Sequence, residues 1–252
     1  MLEVSGLSVR FGGVTALDDV DLTVDDGTVC GLIGPNGAGK TTLFNCVSRL
    51  VDPVAGSIRF DGVEVLDRKP HEIASLGIAR TFQHLALVPA LSVRENVMLG
   101  AHYRHRSGFL AAALHHPMVR REERAMIADA DDALRRVGLL ELADRRVEGL
   151  AYGQLKRVEL ARAICERPRL LALDEPASGL SHGEVDDLAQ LLKRLADELN
   201  LTLLIVEHHM GLVMRVSDQV VVLDFGQVIA SGPPDQVKRD ERVIEAYLGA
   251  PA

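Results

Sequence analysis

The run Gly34-Pro35-Asn36-Gly37-Ala38-Gly39-Lys40-Thr41-Thr42 fits G-x-x-x-x-G-K-[ST], a spacing whose residue types together hold a polyphosphate. Gly34, Gly37 and Gly39 let the backbone turn tightly, so that its N–H groups can point at phosphate oxygens. Lys40 can reach the terminal phosphates, Thr41 can give its hydroxyl to Mg²⁺, and Thr42 can donate to a further phosphate oxygen. The expected ligands are therefore ATP and Mg²⁺. A coincidental glycine-rich turn is the competing reading. The strand-like Thr28–Ile33 before the loop and the helix-like 40–50 after it weigh against that reading, because strand, loop and helix is the arrangement the motif needs.

Two more apolar runs end in chemistry. Leu170-Leu171-Ala172-Leu173 runs into Asp174-Glu175, and Thr202–Val206 runs into Glu207-His208-His209. Asp174 can hold Mg²⁺ opposite Thr41. Glu175, one residue on, can orient a water at the γ-phosphate and take its proton. Glu207 is a rival base by position. His208 can donate to the γ-phosphate and hold the water in line. Gln83, after the strand-like 78–82, can bridge the metal and the water. Leu150-Ala151-Tyr152-Gly153-Gln154 heads a helix over 155–166, where small residues let backbone N–H groups approach an anion. In isolation each of these has a plainer reading, as a helix cap or a surface residue.

To bring these residues together, the three strands must lie side by side with their carboxyl ends aligned, which is where open α/β sheets bind ligands. The alternation of strand-like and helix-like runs after residue 169 predicts a parallel sheet with helices on both faces. Near the N-terminus, runs 3–11, 16–24, 57–60 and 63–65, the last two joined by Asp61-Gly62, predict antiparallel hairpins. Ser92-x-x-Glu95 is a capping box that opens a helix to about His102. Residues 103–118 are irregular, and residues 119–137 and 154–166 are again helix-like. The expected organisation is one domain over 1–252: a core plus β part over about 1–91 and 167–252, and a helical subdomain over about 92–166.

The 252 residues carry a net charge of −8 and only 4 % aromatics without tryptophan, which argues against nucleic acid as partner. Cys30, Cys46 and Cys165 lie in apolar contexts and read as reduced core residues of a cytosolic protein. The start of the chain lacks the basic and apolar segments of a secretory leader. No apolar stretch approaches the roughly 18 residues of a membrane span.

The ordered set of phosphate loop, Gln83, glycine–glutamine helix head, Asp174-Glu175 and His208 resembles the nucleotide-binding subunit of an ATP-binding cassette (ABC) transporter. The resemblance covers essentially the whole chain. It implies the P-loop NTPase fold, a RecA-like parallel sheet core with an antiparallel β subdomain and a helical subdomain. It also places Phe11 on the adenine and 178–181 against a partner ATPase subunit. Where the family signature reads Leu-Ser-Gly-Gly-Gln, this chain has Ala151 and Tyr152, so backbone N–H groups must replace a serine hydroxyl. Ser181 stands for a common aspartate and can cap the next helix with Glu184.

These departures, with Phe11-Gly12-Gly13-Val14, Arg80-Thr81-Phe82-Gln83, Val206-Glu207-His208-His209-Met210 and the ending 243–249, are similar to the ATPases of branched-chain amino acid importers. That likeness implies ATP hydrolysis coupled to transport of branched-chain or other small amino acids. It implies a homo- or heterodimer of ATPase subunits on the cytoplasmic face of the membrane, two transmembrane permease subunits and an external solute-binding protein. The competing classes are a soluble ABC ATPase of a cytosolic assembly system and a lipid or lipopolysaccharide export ATPase. Glu175 argues against a non-hydrolysing sensor. The histidines at 102, 105, 115 and 116 read as a solvated loop in preference to a metal site.

Overall fold

The computed structural model describes residues 2–81, 85–101 and 117–248, with the side chains of 117–120 and 248 outside the description. The chain forms two compact units, 1–80 with 169–252 and 81–168.

In the first unit, β1 (Leu2–Phe11) pairs antiparallel with β2 (Val14–Val24) and with β4 (Ala55–Phe60), and β4 pairs with the short β5 (Val63–Glu64). The second sheet runs β10-β9-β3-β8-β7-β6. Its strands are β3 (Val29–Ile33), β6 (Ile78–Arg80), β7 (Leu170–Asp174), β8 (Thr202–Val206), β9 (Gln219–Asp224) and β10 (Gln227–Gly232). All pairings are parallel except that of β10 with β9. Every residue of β3, β7 and β8 is buried, which explains why these strands read as continuous apolar runs and not as alternation.

Alternate residues of this sheet enter different cores. Cys30, Leu32, Leu204, Val206, Val221 and Leu223 pack with Phe44 and Leu43 of α1 (Lys40–Val47) and with β1 and β2. Ile33, Val220 and Val222 pack with Val213 of α6 (Met210–Val216), Val237 of α7 (Pro234–Val237) and Val243 of α8 (Glu241–Leu248). The period-two side-chain alternation of a strand thus clamps β3 between two apolar layers, leaving its carboxyl end as the place where the chain can turn outward. The long α5 (His182–Leu199) buries Val185, Leu188, Ala189, Leu192, Leu195 and Ala196 at helical spacing. The Ser181 N–H and hydroxyl both donate to Glu184 at its start, at 2.9 and 2.6 Å.

The second unit holds α2 (Val93–Ala101), α3 (Pro117–Arg136) and α4 (Tyr152–Cys165). At Gly100 a Cβ would lie 2.1 Å from the Arg162 carbonyl oxygen, so α2 and α4 approach too closely there for any side chain. Arg94 pairs with Asp131 at 2.7 Å and also with Asp144. Asn96, fully buried, accepts from the Val88 N–H at 2.7 Å and donates back to the Val88 carbonyl at 3.1 Å. This polar hub fixes the chain before α2.

Several boundaries differ from the sequence expectation. β2 begins at Val14 instead of Ala16, β6 stops at Arg80 instead of reaching 82, and α3 begins at Pro117 inside the stretch read as irregular. Pro117 fits because the first helical position needs no N–H donor. A 3-10 turn over Pro70–Leu76 has no counterpart in the sequence reading. Among the described residues no helix is long and apolar enough to cross a membrane. Cys30 and Cys46 are buried, and burial pushes their thiols up to about 12 and about 11. Cys165 is buried as well, and none of the three is in a disulfide.

Candidate functional site

The loop from Gly34 to Lys40 leaves the end of β3 and enters α1. Its first glycine is required by packing: a Cβ on Gly34, at φ 151°, would sit 2.1 Å from the Leu223 carbonyl oxygen. The loop is then tied to the β9–β10 turn, where the Gly226 N–H donates to the Ala38 carbonyl at 3.0 Å. Pro35 is half-buried, Asn36 and Gly37 are exposed, and Ala38 is buried. Leu43 is the first residue of α1 whose N–H finds its helical acceptor, the Gly39 carbonyl at 3.0 Å. The N–H groups of Lys40, Thr41 and Thr42 therefore precede the helical ladder and face the end of a helix dipole that favours anions. Thr41 is exposed and Thr42 half-buried.

Lys40 is 9 % exposed, and its ammonium donates to the Gly34 and Pro35 carbonyls at 2.7 and 2.9 Å. Burial lowers its pKa, and the charge of Glu175 opposes that shift. The opposition brings the phosphate-loop lysine and the carboxylate at the end of β7 into one electrostatic environment.

Asp174, the last residue of β7, is 4 % exposed and pairs with Arg80 Nη2 at 3.0 Å. Arg80 also donates to Asn45 Oδ1 at 2.8 Å and Ser48 Oγ at 3.3 Å, and its guanidinium lies 4.4 Å over the Phe44 ring. Glu175 has φ 47°, a left-handed conformation unusual for a residue with a long side chain. Its N–H still donates to the Val206 carbonyl at 2.9 Å, and Ser178 N–H donates back to its carbonyl at 3.1 Å. The strand is thereby halted and the next side chain swung off the sheet. Strain of about 1–3 kcal/mol of this kind collects at functional sites. Glu175 Oε1 lies 3.8 Å from Nδ1 of His208, whose side chain is 60 % exposed.

Glu207 is fully buried. Its Oε1 accepts from the Ala177 N–H at 2.8 Å, and its Oε2 accepts from the N–H groups of His208 and His209, both at 2.9 Å. A carboxylate so enclosed has no face to offer a water. This enclosure weighs against Glu207 as a rival base and leaves Glu175 as the base expected from the sequence.

Phe11, at the end of β1 and paired with Val14, is 51 % exposed. Ala151, Tyr152, Gly153 and Gln154 belong to the other unit. There Ala151 precedes α4 and its N–H donates to Gln154 Oε1 at 3.1 Å, while Tyr152 is exposed with Lys156 Nζ 5.8 Å from its ring. Gln83 and the histidines at 102, 105, 115 and 116 lie outside the described residues. The first unit thus sets the loop 34–42, Asp174, Glu175 and His208 at the carboxyl ends of β3, β7 and β8, three strands side by side, while Phe11 stands at the end of β1 in the other sheet.

Sequence reasoning overlooked two contributors. Arg80 read only as part of a strand and of the run Arg80-Thr81-Phe82-Gln83, yet it is the counter-charge of Asp174. Tyr247 on α8 read only as part of a familiar ending. Tyr247 is 39 % exposed, and partial burial raises its phenol pKa against the effect of the nearby Gly34 backbone, which sets the C-terminal helix beside the phosphate loop.

For a divalent cation, Asp174 and the Thr41 hydroxyl offer hard oxygen donors. Among the described residues no group of three or more His, Cys, Asp or Glu could cage a metal. That donor set fits Mg²⁺, which keeps several waters and takes oxygens from bound phosphates.

A family model described as ABC transporter matches residues 17–178, and one described as Branched-chain amino acid ATP-binding cassette transporter matches residues 227–252. The chain is 45 % identical over 249 residues to the high-affinity branched-chain amino acid transport ATP-binding protein BraF of Pseudomonas aeruginosa, covering 99 % of this chain and 98 % of that protein. To the corresponding protein LivG of Escherichia coli it is 40 % identical with the same coverage. Among solved structures it matches the ADP conformation of an ATP-binding cassette of an ABC transporter, with a TM-score of 0.86, 31 % identity, and coverage of 99 % of this chain and 98 % of the other. With a phosphate loop, a buried strand-end aspartate and an adjoining glutamate on this fold, the chain belongs to the ABC transporter family and is one of its ATP-binding cassette ATPases.

Proposed function

We propose that this ATPase powers the import of branched-chain or other small amino acids. In this reading it acts as a pair of ATPase subunits seated on two permease subunits at the cytoplasmic face of the membrane, with an external solute-binding protein delivering the cargo. The observation that carries the catalytic part is that the phosphate loop, Glu175 and His208 follow the carboxyl ends of three neighbouring strands, β3, β7 and β8, with Glu175 Oε1 3.8 Å from His208 Nδ1. The names and identity of the relatives support the cargo class.

Each residue then has a task. The N–H groups at the start of α1 and the Lys40 ammonium bind the phosphates, with Lys40 exchanging two carbonyls for phosphate oxygens. Phe11 stacks on the adenine. Thr41 and Asp174, with Gln83, hold Mg²⁺, which neutralises charge on the phosphates when bound. Glu175 accepts the proton of the attacking water, and His208 donates to the γ-phosphate and keeps that water in line. Ala151, Tyr152, Gly153 and Gln154 present the head of α4 to the γ-phosphate held by the partner subunit.

The reading is tested by co-expressing the chain with the permease and binding-protein genes beside its own, then measuring uptake of leucine, isoleucine and valine into reconstituted vesicles that enclose ATP and carry the binding protein outside. Uptake that needs ATP and is competed by these three amino acids supports it. ATPase activity without uptake of any small amino acid removes the cargo assignment.

A further inference from the structure

Glu207 contributes nothing to the reaction as written, yet it is among the most enclosed charges in the first unit. Its side chain is fully buried at the end of β8, its hydrogen bonds come from backbone N–H groups on two separate loops, and its Oε2 lies 3.9 Å from Nδ1 of His208. One oxygen takes Ala177, two residues after Glu175. The other takes His208 and His209. Resting on the assignment of Glu175 and His208 above, we propose that Glu207 is a positioning residue that ties these two loops together and so holds base and histidine in register.

Three observations support a role beyond packing. First, residue type: two acceptor oxygens without a donor are what three converging N–H groups require, and bonds to an ionised acceptor are about twice as strong as neutral ones. A buried apolar side chain at this place would leave three backbone donors unsatisfied. Second, position: the carboxylate joins residues 177 and 208 directly through its two oxygens, and Glu175 Oε1 lies 3.8 Å from His208 Nδ1. Third, the neighbours are poised. Glu175 stands in a left-handed conformation. His209, downstream of the carboxylate, caps α6 by accepting from the Leu212 N–H at 3.3 Å. Loosening the carboxylate frees the backbone on both sides of the catalytic pair while leaving the phosphate loop untouched. The defect should therefore fall on turnover and not on nucleotide affinity.

The test compares Glu207→Gln with the unaltered chain in steady-state ATP hydrolysis and in equilibrium binding of a fluorescent ATP analogue. Glutamine keeps the volume but turns an NH₂ group toward one of the two loops, where it meets N–H donors. The expected result is a fall in kcat of about 10–100-fold with KM and the nucleotide dissociation constant little changed, the pattern of an interaction that acts only in the transition state. Unchanged kcat in the folded variant overturns the proposal, and so does an equal loss of kcat and affinity, which would mean general distortion. Glu175→Gln and His208→Ala are assayed alongside. If they lose turnover while Glu207→Gln keeps it, the brace alone fails; if they keep turnover, the catalytic assignment fails and the brace's role with it. Should Glu207→Gln not fold, amide exchange on the unaltered chain decides. Common protection of the Ala177, His208 and His209 amides supports the tie, and exchange of Ala177 at the rate of an exposed loop refutes it.

Discussion

Arg80 and Asp174, 94 positions apart in sequence, form an ion pair of 3.0 Å in which the carboxylate is 4 % exposed and the guanidinium 13 %. The carboxylate assigned to Mg²⁺ thus already has a cation beside it. Arg80 is in turn fixed by Asn45, Ser48 and the Phe44 ring. A planar fork is needed to make those contacts at once, and an ammonium cannot replace it.

Arg80→Met should destabilise the protein by roughly 3 kcal/mol, the lower end of what breaking a buried pair costs. Arg80→Lys should cost about half of that, because charge survives and the fork does not. Urea unfolding at neutral pH measures both. A loss for Arg80→Met below about 1 kcal/mol, the range of exposed pairs, would show that Asp174 does not depend on this guanidinium.

Glu166, at the end of α4, makes stability depend on pH. Burial raises its carboxyl from 4.5 to about 7, with Arg162 opposing. Its folded value lies above its unfolded one, so the folded protein holds the extra proton between these limits. The Glu166 contribution is complete below about 4.5 and is lost as pH rises towards about 7. Glu166→Gln cannot ionise. It should therefore melt close to the unaltered chain at pH 5 and above it at pH 8. Equal melting temperatures at both values would mean that Glu166 ionises in the folded state as it does in water.

Much of the fold and part of the site could be read in the sequence because their signals are local. The phosphate loop is a contiguous run, and strands β3, β7 and β8 are uninterrupted apolar runs because both faces are buried. Asp174-Glu175 and His208 stand where those runs stop. The Asp61-Gly62 turn between β4 and β5 is likewise written in two adjacent residues. Relationships across long sequence separations were not readable. Nothing near Arg80 announces Asp174, nothing near Glu207 announces the Ala177 N–H 30 positions earlier, and Tyr247 gives no local sign of Gly34. Glu207 stood as a rival to Glu175 in the sequence for a physical reason: a glutamate at a strand end looks the same there whether it faces water or three backbone donors.

The head of α4 and the phosphate loop lie in different units, and the proposed function places Gly153 against the nucleotide of the partner. Mixing Lys40→Ala with Gly153→Asp subunits tests this. Each variant alone should be nearly inactive, since one loses a charge-assisted phosphate contact and the other sets a carboxylate beside a phosphate. A mixed dimer completed in trans has one intact site and one doubly damaged site. Mixing should therefore restore up to about half of the activity per mixed dimer. Absence of any rescue, with mixed dimers demonstrated by cross-linking, would mean that each site is built within one chain.

The central claim is that Glu175 takes the proton from the water that attacks ATP. It is tested most directly by single-turnover hydrolysis of radiolabelled ATP by Glu175→Gln, beside a nucleotide-binding measurement on the same preparation. The amide keeps the shape of the side chain and loses the basic oxygen. The rate of phosphate release should fall by about 10²–10³-fold while ATP binds with near-normal affinity and accumulates in a dimer. Phosphate release within a few-fold of the unaltered rate would contradict the account and remove Glu175 from the chemistry.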